Sequence, residues 1–194
     1  MLTPKEWTTS FPGVPAEFIN QLFLNFSEQV EGWYLHDWEK VGLKAGKLAE
    51  IAFSIIDGVA NSSFAPTPFK PANFVAGCVA FEKQAQLSRA LRIQIPRVLI
   101  GIYELRNNRS VGHVGSPVSP NDLDGEYFFR ASKWALCELS RSLCESAGVV
   151  GDENFYATVN MSELPLIWEG RETTRVLDAS LSAGQKTLVV LAHF

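Results

Sequence analysis

The sequence predicts an all-α protein: a bundle of four to five helices, followed by a small mixed C-terminal segment. Three observations predict it. Apolar residues recur at three- and four-residue intervals through most of the chain, the period of one helix face. The apolar runs are punctuated by residues that start and stop helices, above all Pro15, Ser119-Pro120 and Gly148. After Gly148 the pattern turns to β-formers and turn residues until a last apolar run. The chain therefore divides into an irregular lead-in over 1–14, a helical bundle over 15–148 and a C-terminal segment over 149–194.

The lead-in ends at the turn pair Pro12-Gly13. A first helix starts at Pro15, a good first-turn residue, carries Phe18, Leu22, Phe26 and Val30, and stops near Gly32. A second, over about 43–60, carries Leu48, Ala52, Ile55, Ile56 and Val59. The stretch NSSFAPTPFKPANF holds three prolines and is a loop. A third helix is expected over 74–91 and a fourth over 92–106, where Pro96 suits a restart or a kink. The next helix has Ser119 as N-cap, Pro120 as first residue, and Asp122 and Asp124 in its first turn. Its buried stripe is Phe128, Ala131, Ala135, Leu139 and Leu143, and Gly148 ends it. The C-terminal segment is expected to hold a short strand pair around Trp168–Arg171. A Ser182-x-x-Gln185 capping box then opens a helix through KTLVVLAHF. That helix has no stop signal, which suggests a chain cut inside a second domain; a C-terminal helix docked on the bundle is the alternative.

Composition narrows the classes. The chain has 194 residues, 46% apolar and 20% charged, ordinary for a globular protein with a sizeable core. A net charge of −4 argues against general adhesion to nucleic acid but leaves room for a local basic site. Cys78, Cys137 and Cys144 form no metal-ligand spacing and read as small buried apolar residues. An odd cysteine count with no secretory signal fits a reducing, cytoplasmic location. No apolar stretch reaches the roughly 18 residues of a membrane span. Phosphate-loop, zinc and nucleophile-elbow signatures are all absent, so neither a metal nor a cofactor is expected.

One loop stands out. LRNNRSVGHVGS, Leu105–Ser116, sets Arg106 and His113 six intervening residues apart between two helices. RNA carries its own nucleophile, the 2′-hydroxyl; cutting it needs a base, an acid and positive charge on the crowded phosphorane. His113 titrates in the right range, and the Arg106 fork matches two phosphate oxygens. Asn107 could orient the histidine or the phosphate. Arg109 is a further phosphate contact or a surface charge, with Asn108 and Arg97 beside it as substrate-binding candidates. Gly112 and Gly115 let the backbone approach a ligand. From Lys83 to Arg109 six basic residues (Lys83, Arg89, Arg92, Arg97, Arg106, Arg109) face one acid, Glu104, a local positive field leading to the loop. The alternatives are loop-stabilising hydrogen bonds and a solvated helix face. His36, near three aromatics, reads as structural.

An Arg, a polar residue directly after it, a short spacer and a His, in a helical bundle just before a long helix, resemble the HEPN superfamily. The wider string IPRVLIGIYELRNNRSVGHVG, with SPNDLD and KWALCEL, is similar to bacterial members of the abortive-infection type. The resemblance covers about residues 40–147. It implies a metal-independent endoribonuclease working as a homodimer, with the loops of two protomers meeting in one cleft. Arg106 would hold the scissile phosphate, His113 would be general acid or base, and Asn107 would position them. Products would be a 2′,3′-cyclic phosphate and a 5′-hydroxyl. Phage defence and toxin–antitoxin pairs are roles in the family, and a regulatory partner protein is therefore expected. Gly115 stands where some such toxins carry a modifiable tyrosine, so regulation by that route is not implied. Silent members that serve as dimerisation scaffolds give the rival expectation, an adaptor presenting a C-terminal nucleic-acid-binding or sensor domain. The C-terminal segment looks like the start of a winged-helix-type module.

Overall fold

The structure is a computed structural model and describes residues 4–109, 119–151, 153–161, 167–169, 174–176 and 181–193. It forms two compact units, 1–160 and 161–194. The first is an all-α bundle: α1 (Pro4–Ser10), α2 (Ala16–Tyr34), α3 (Trp38–Ala60), α4 (Phe74–Ala80), α5 (Ile95–Asn108), α6 (Asp122–Ser146) and α7 (Glu153–Met161). The second holds an antiparallel hairpin, β1 (Ile167–Glu169) with β2 (Thr174–Val176), in the register Trp168 opposite Arg175, and then α8 (Ala183–His193). The expected capping box opens α8: the Ser182 backbone N–H donates to Gln185 Oε1 at 2.9 Å.

α3 runs through the middle of the bundle. Val41, Ala45, Leu48, Ala49, Ala52, Ile55 and Ile56 are buried against α2, α5 and α6. One polar side chain ties three of these helices together. Gln29 of α2, fully buried, donates to Val41 O at 3.3 Å, Phe128 O at 3.4 Å and Ser132 Oγ at 3.1 Å. α3 also meets α6 at close range, because the Trp38 ring occupies the space where Gly125 has no Cβ.

Helix ends follow local chemistry. α2, α3 and α6 each close with the reciprocal backbone bonds of a Schellman turn. In α6, Val149 N–H reaches Cys144 O and Gly148, at φ +68°, reaches Glu145 O. In α2 the left-handed position falls on His36, at φ 53°, so this histidine has a backbone role; its ring meets Trp38 edge-on at 5.1 Å. The next residue, Asp37, accepts from Lys40 N and caps α3, which starts at Trp38, five residues before the expected 43.

Several expectations are corrected. The lead-in over 1–14 is not all irregular: α1 occupies Pro4–Ser10, and Trp7 and Phe11, one helical turn apart, are buried with Phe155 of α7 at 5.1 and 5.4 Å. α7 itself replaces the β-rich reading of that stretch, since Phe155 and Val159 are one turn apart and both fully buried. The bundle thus runs past 148. The helix expected over 74–91 breaks after a 3₁₀ turn, Phe81–Lys83, because Ser88 caps a new start by accepting from Leu91 N. From there a π-helical turn, Ala90–Gln94, leads into α5; Pro96 has no N–H to give a regular ladder there, and Ile95 N–H reaches back five residues to Ala90 O.

The N-cap of α6 is Asn121, not Ser119. Asn121 Oδ1 accepts from Asp124 N at 3.0 Å, and Asp124 Oδ2 accepts from Asn121 N at 3.2 Å, a complete capping box. The choice falls on Asn121 because Asp124 has a second partner: Arg109 Nε donates to it at 2.9 Å. That ion pair joins the end of α5 to the start of α6, across the residues between them. Asp124 is only 7% exposed, so losing its cation leaves a buried carboxylate without its charge partner. Arg109→Ala is expected to lower unfolding stability by about 1–3 kcal/mol, measured by urea denaturation; a change within error would show the pair to be dispensable.

Candidate functional site

The last turns of α5 carry the candidate residues. Tyr103, Arg106 and Asn107 recur at helical spacing and face α3 and the loop before α4. A helix C-terminus favours a cation, as its free carbonyls are the negative end of the dipole. The Arg106 stem lies along α3, where a Cβ on Gly46 would stand 3.4 Å from its Cδ and Nε. Arg106 Nη1 donates to Asn107 Oδ1 at 3.4 Å, while its buried Nε has no hydrogen-bond partner among the described residues. No described carboxylate lies within ion-pair distance of this guanidinium, unlike those of Arg97, Arg109, Arg130 and Arg141.

Around it stands a polar cluster that the sequence reading did not name. Tyr103 stacks on Phe74 at 4.5 Å and has Lys70 Nζ 5.1 Å from its ring centre. Lys70 and Asn107 hydrogen-bond its hydroxyl and hold its pKa below the usual phenol value. Glu50, one turn beyond Gly46 on α3, is half-buried; burial pushes its carboxyl up despite the charges of Lys70, Arg106 and Lys47. Ser54 fixes the loop by accepting from Phe69 N at 2.9 Å and donating to Phe69 O at 2.7 Å. Chemically, the cluster offers a guanidinium without a carboxylate partner among the described residues, two lysines and one half-buried carboxyl. That suits a phosphate with hydroxyl groups near it.

The other named residues fall elsewhere. His113 lies outside the described residues. Asn108 turns back on its own helix and donates to Glu104 O at 2.8 Å. Arg109 is held by Asp124, as above. Arg97 is exposed and paired with Glu82 at 2.9 Å, and Arg92 donates to the Glu82 carbonyl at 3.1 Å. The positive stretch read from Lys83 to Arg109 is thus partly balanced by the acid just before it. Arg106 and Asn107 are brought together; Arg97, Asn108 and Arg109 are not brought to them.

Thiol chemistry is poorly served. Burial pushes the Cys78 thiol up to about 12 and that of Cys137 to about 11, far from a nucleophilic thiolate at neutral pH. Among the described residues no three His, Cys, Asp or Glu side chains group as a metal site, and no helix is long and apolar enough to cross a membrane. No protein-family model, curated protein or solved structure matches the chain.

The raised carboxyl of Glu50 has a stability consequence. A carboxyl whose pKa is higher folded than unfolded disfavours the folded state once pH exceeds both values, and the penalty disappears below the unfolded value. Glu50→Gln is therefore expected to raise the melting temperature by a few degrees at pH 7 and to leave it unchanged near pH 3. A melting temperature that falls at pH 7 would show that the charge of Glu50 supports the fold instead.

Proposed function

We propose that the chain is a metal-independent endoribonuclease of the HEPN type. The observation that carries this reading is Arg106: a half-buried guanidinium at a helix end, without a carboxylate partner among the described residues and with Asn107 attached. A cation left unpaired in a partly buried place is poised for an anion. Arg106 would grip the scissile phosphate as the 2′-oxygen attacks phosphorus and the 5′-oxygen leaves. His113 would move the protons as general acid or base. Asn107, held between Arg106 and Tyr103, would position the phosphate. Each chain supplies one such Arg and one such His, so the working unit in this reading is a homodimer acting on cytoplasmic RNA. A toxin-like or phage-defence role, with a regulatory partner protein, follows from the toxicity of an uncontrolled ribonuclease.

A second reading has its own observation. Arg97 and Arg109 are both engaged in ion pairs, and α8 leaves Leu188 and Leu191 exposed. A catalytically silent dimerisation or adaptor module, presenting its C-terminal segment to a partner, would use the residues in this way. Cleavage assays separate the two. Wild type incubated with total RNA in EDTA is expected to yield products ending in 2′,3′-cyclic phosphate. Arg106→Ala and His113→Ala are each expected to lower the rate by about 10²–10⁴. Cleavage that stops with EDTA, or that survives both substitutions, rejects the nuclease.

A further inference from the structure

α2 and α3 run antiparallel and are stitched by a ladder of ion pairs. Glu31 meets Lys40 at 2.7 Å, and one rung further Glu28 meets Lys44. The same register puts Asn25 opposite Lys47, and Gln21 opposite Glu50 and Ile51. At those two rungs the acids of α2 give way to amides. Beside them lies a cleft of about 260 Å³ between the two helices and the loop before α4, lined by Gln21, Asn25, Lys47, Glu50, Phe69 and Lys70 among others. Among the described residues Lys47, exposed, has no acid within ion-pair distance, although the two lysines before it on the same stripe do.

We propose that this cleft is a nucleoside subsite, taking one unstacked nucleotide of a single-stranded RNA whose neighbouring phosphate lies on Arg106. The proposal rests on the ribonuclease reading for its substrate. Its chemistry comes from the cleft. Gln21 Nε2 donates to Glu17 at 2.6 Å and Asn25 Nδ2 donates to Gln21 O at 2.9 Å. Those bonds fix both amide groups with their oxygens as acceptors, and no described donor occupies either oxygen. Such acceptors suit an exocyclic amino group on a base. Phe69, 38% exposed and held T-shaped on Phe53 at 5.9 Å, offers a ring for the base. Glu50 suits a ribose hydroxyl, and Lys47 and Lys70 suit the flanking phosphates. At about 260 Å³ the cleft lies just below the roughly 300 Å³ at which ligand pockets usually start, which limits it to a single nucleoside at most and excludes a paired base. Arg106 lies on Gly46, the residue before Lys47, and its charge reaches Glu50. The cleft and the phosphate grip are therefore neighbours on one strip of α3.

The decisive variant restores the missing rung. Asn25→Glu gives Lys47 the acid partner that Lys40 and Lys44 already have, so it should keep or raise the melting temperature while closing the cleft to an anion. Calorimetric titration of the full chain with 5′-AMP, adenosine and inorganic phosphate reads the result. AMP is expected to bind at least tenfold more tightly than either fragment. Asn25→Glu is expected to weaken AMP at least tenfold, and Lys47→Ala at least fivefold. AMP binding no tighter than phosphate, or unchanged in both variants, overturns the subsite, even if wild type cleaves RNA in EDTA. Tight AMP binding that both variants lose supports it, even if RNA is left uncut; in that case the nuclease reading is what fails.

Discussion

The burial of α3 is the constraint on which the rest depends. This helix packs against α2, α5 and α6, so almost all of its surface must be apolar or small. Apart from Glu39 in its first turn, its polar residues, Lys40, Lys44, Lys47, Glu50, Ser54 and Asp57, fall on one stripe. What each member of that stripe does is decided by what faces it. Lys40 and Lys44 meet acids of α2 and become part of the stitching. Ser54 meets the backbone of Phe69 and pins a loop. Lys47 and Glu50 meet amides and Arg106, and there the same stripe that holds the helices together opens into a charged cleft.

A second tie joins the end of α5 to the start of α6. Asp124 caps α6 and holds Arg109, so one carboxylate sets the first turn of a helix and the distance between two helix ends. Four consecutive residues, Arg106 to Arg109, then divide their labour, the first three by helical geometry and Arg109 by the extended backbone of its C-cap position. Arg109 faces α6 and is structural, and Asn108 folds back on its own helix. Arg106 and Asn107 face the polar cluster. Sequence neighbours therefore have different roles because successive residues point about 100° apart around a helix.

The parts of the fold legible in the sequence are those with local causes. The apolar stripes of α2, α3 and α6, the Gly148 stop, the helical nature of the Pro96 segment, the hairpin at Trp168 and the Ser182–Gln185 cap all depend on residues within a few positions of each other. The misplaced boundaries depend on distant partners. Asn121 rather than Ser119 caps α6 because Asp124 also binds Arg109, and α1 and α7 exist as buried helices because Trp7, Phe11 and Phe155 find one another across the bundle. The candidate site divides in the same way. Arg106 and Asn107 stand out as a motif, whereas Glu50, Lys70 and Tyr103 converge only through packing. The α2–α3 ladder is an intermediate case: its spacing, with acids at 28 and 31 and lysines at 40, 44 and 47, is present in the sequence once the two helices are known to be antiparallel.

Among the described residues no carboxylate pairs with Arg106, and under the proposed function a phosphate takes that place. The most direct measurement is the affinity of wild type and Arg106→Ala for a short single-stranded RNA made uncleavable by 2′-deoxy substitution, at fixed ionic strength. Loss of a charge-assisted contact predicts binding at least about tenfold weaker in the variant, with the fold intact by circular dichroism. Equal affinity of the two proteins would contradict the account.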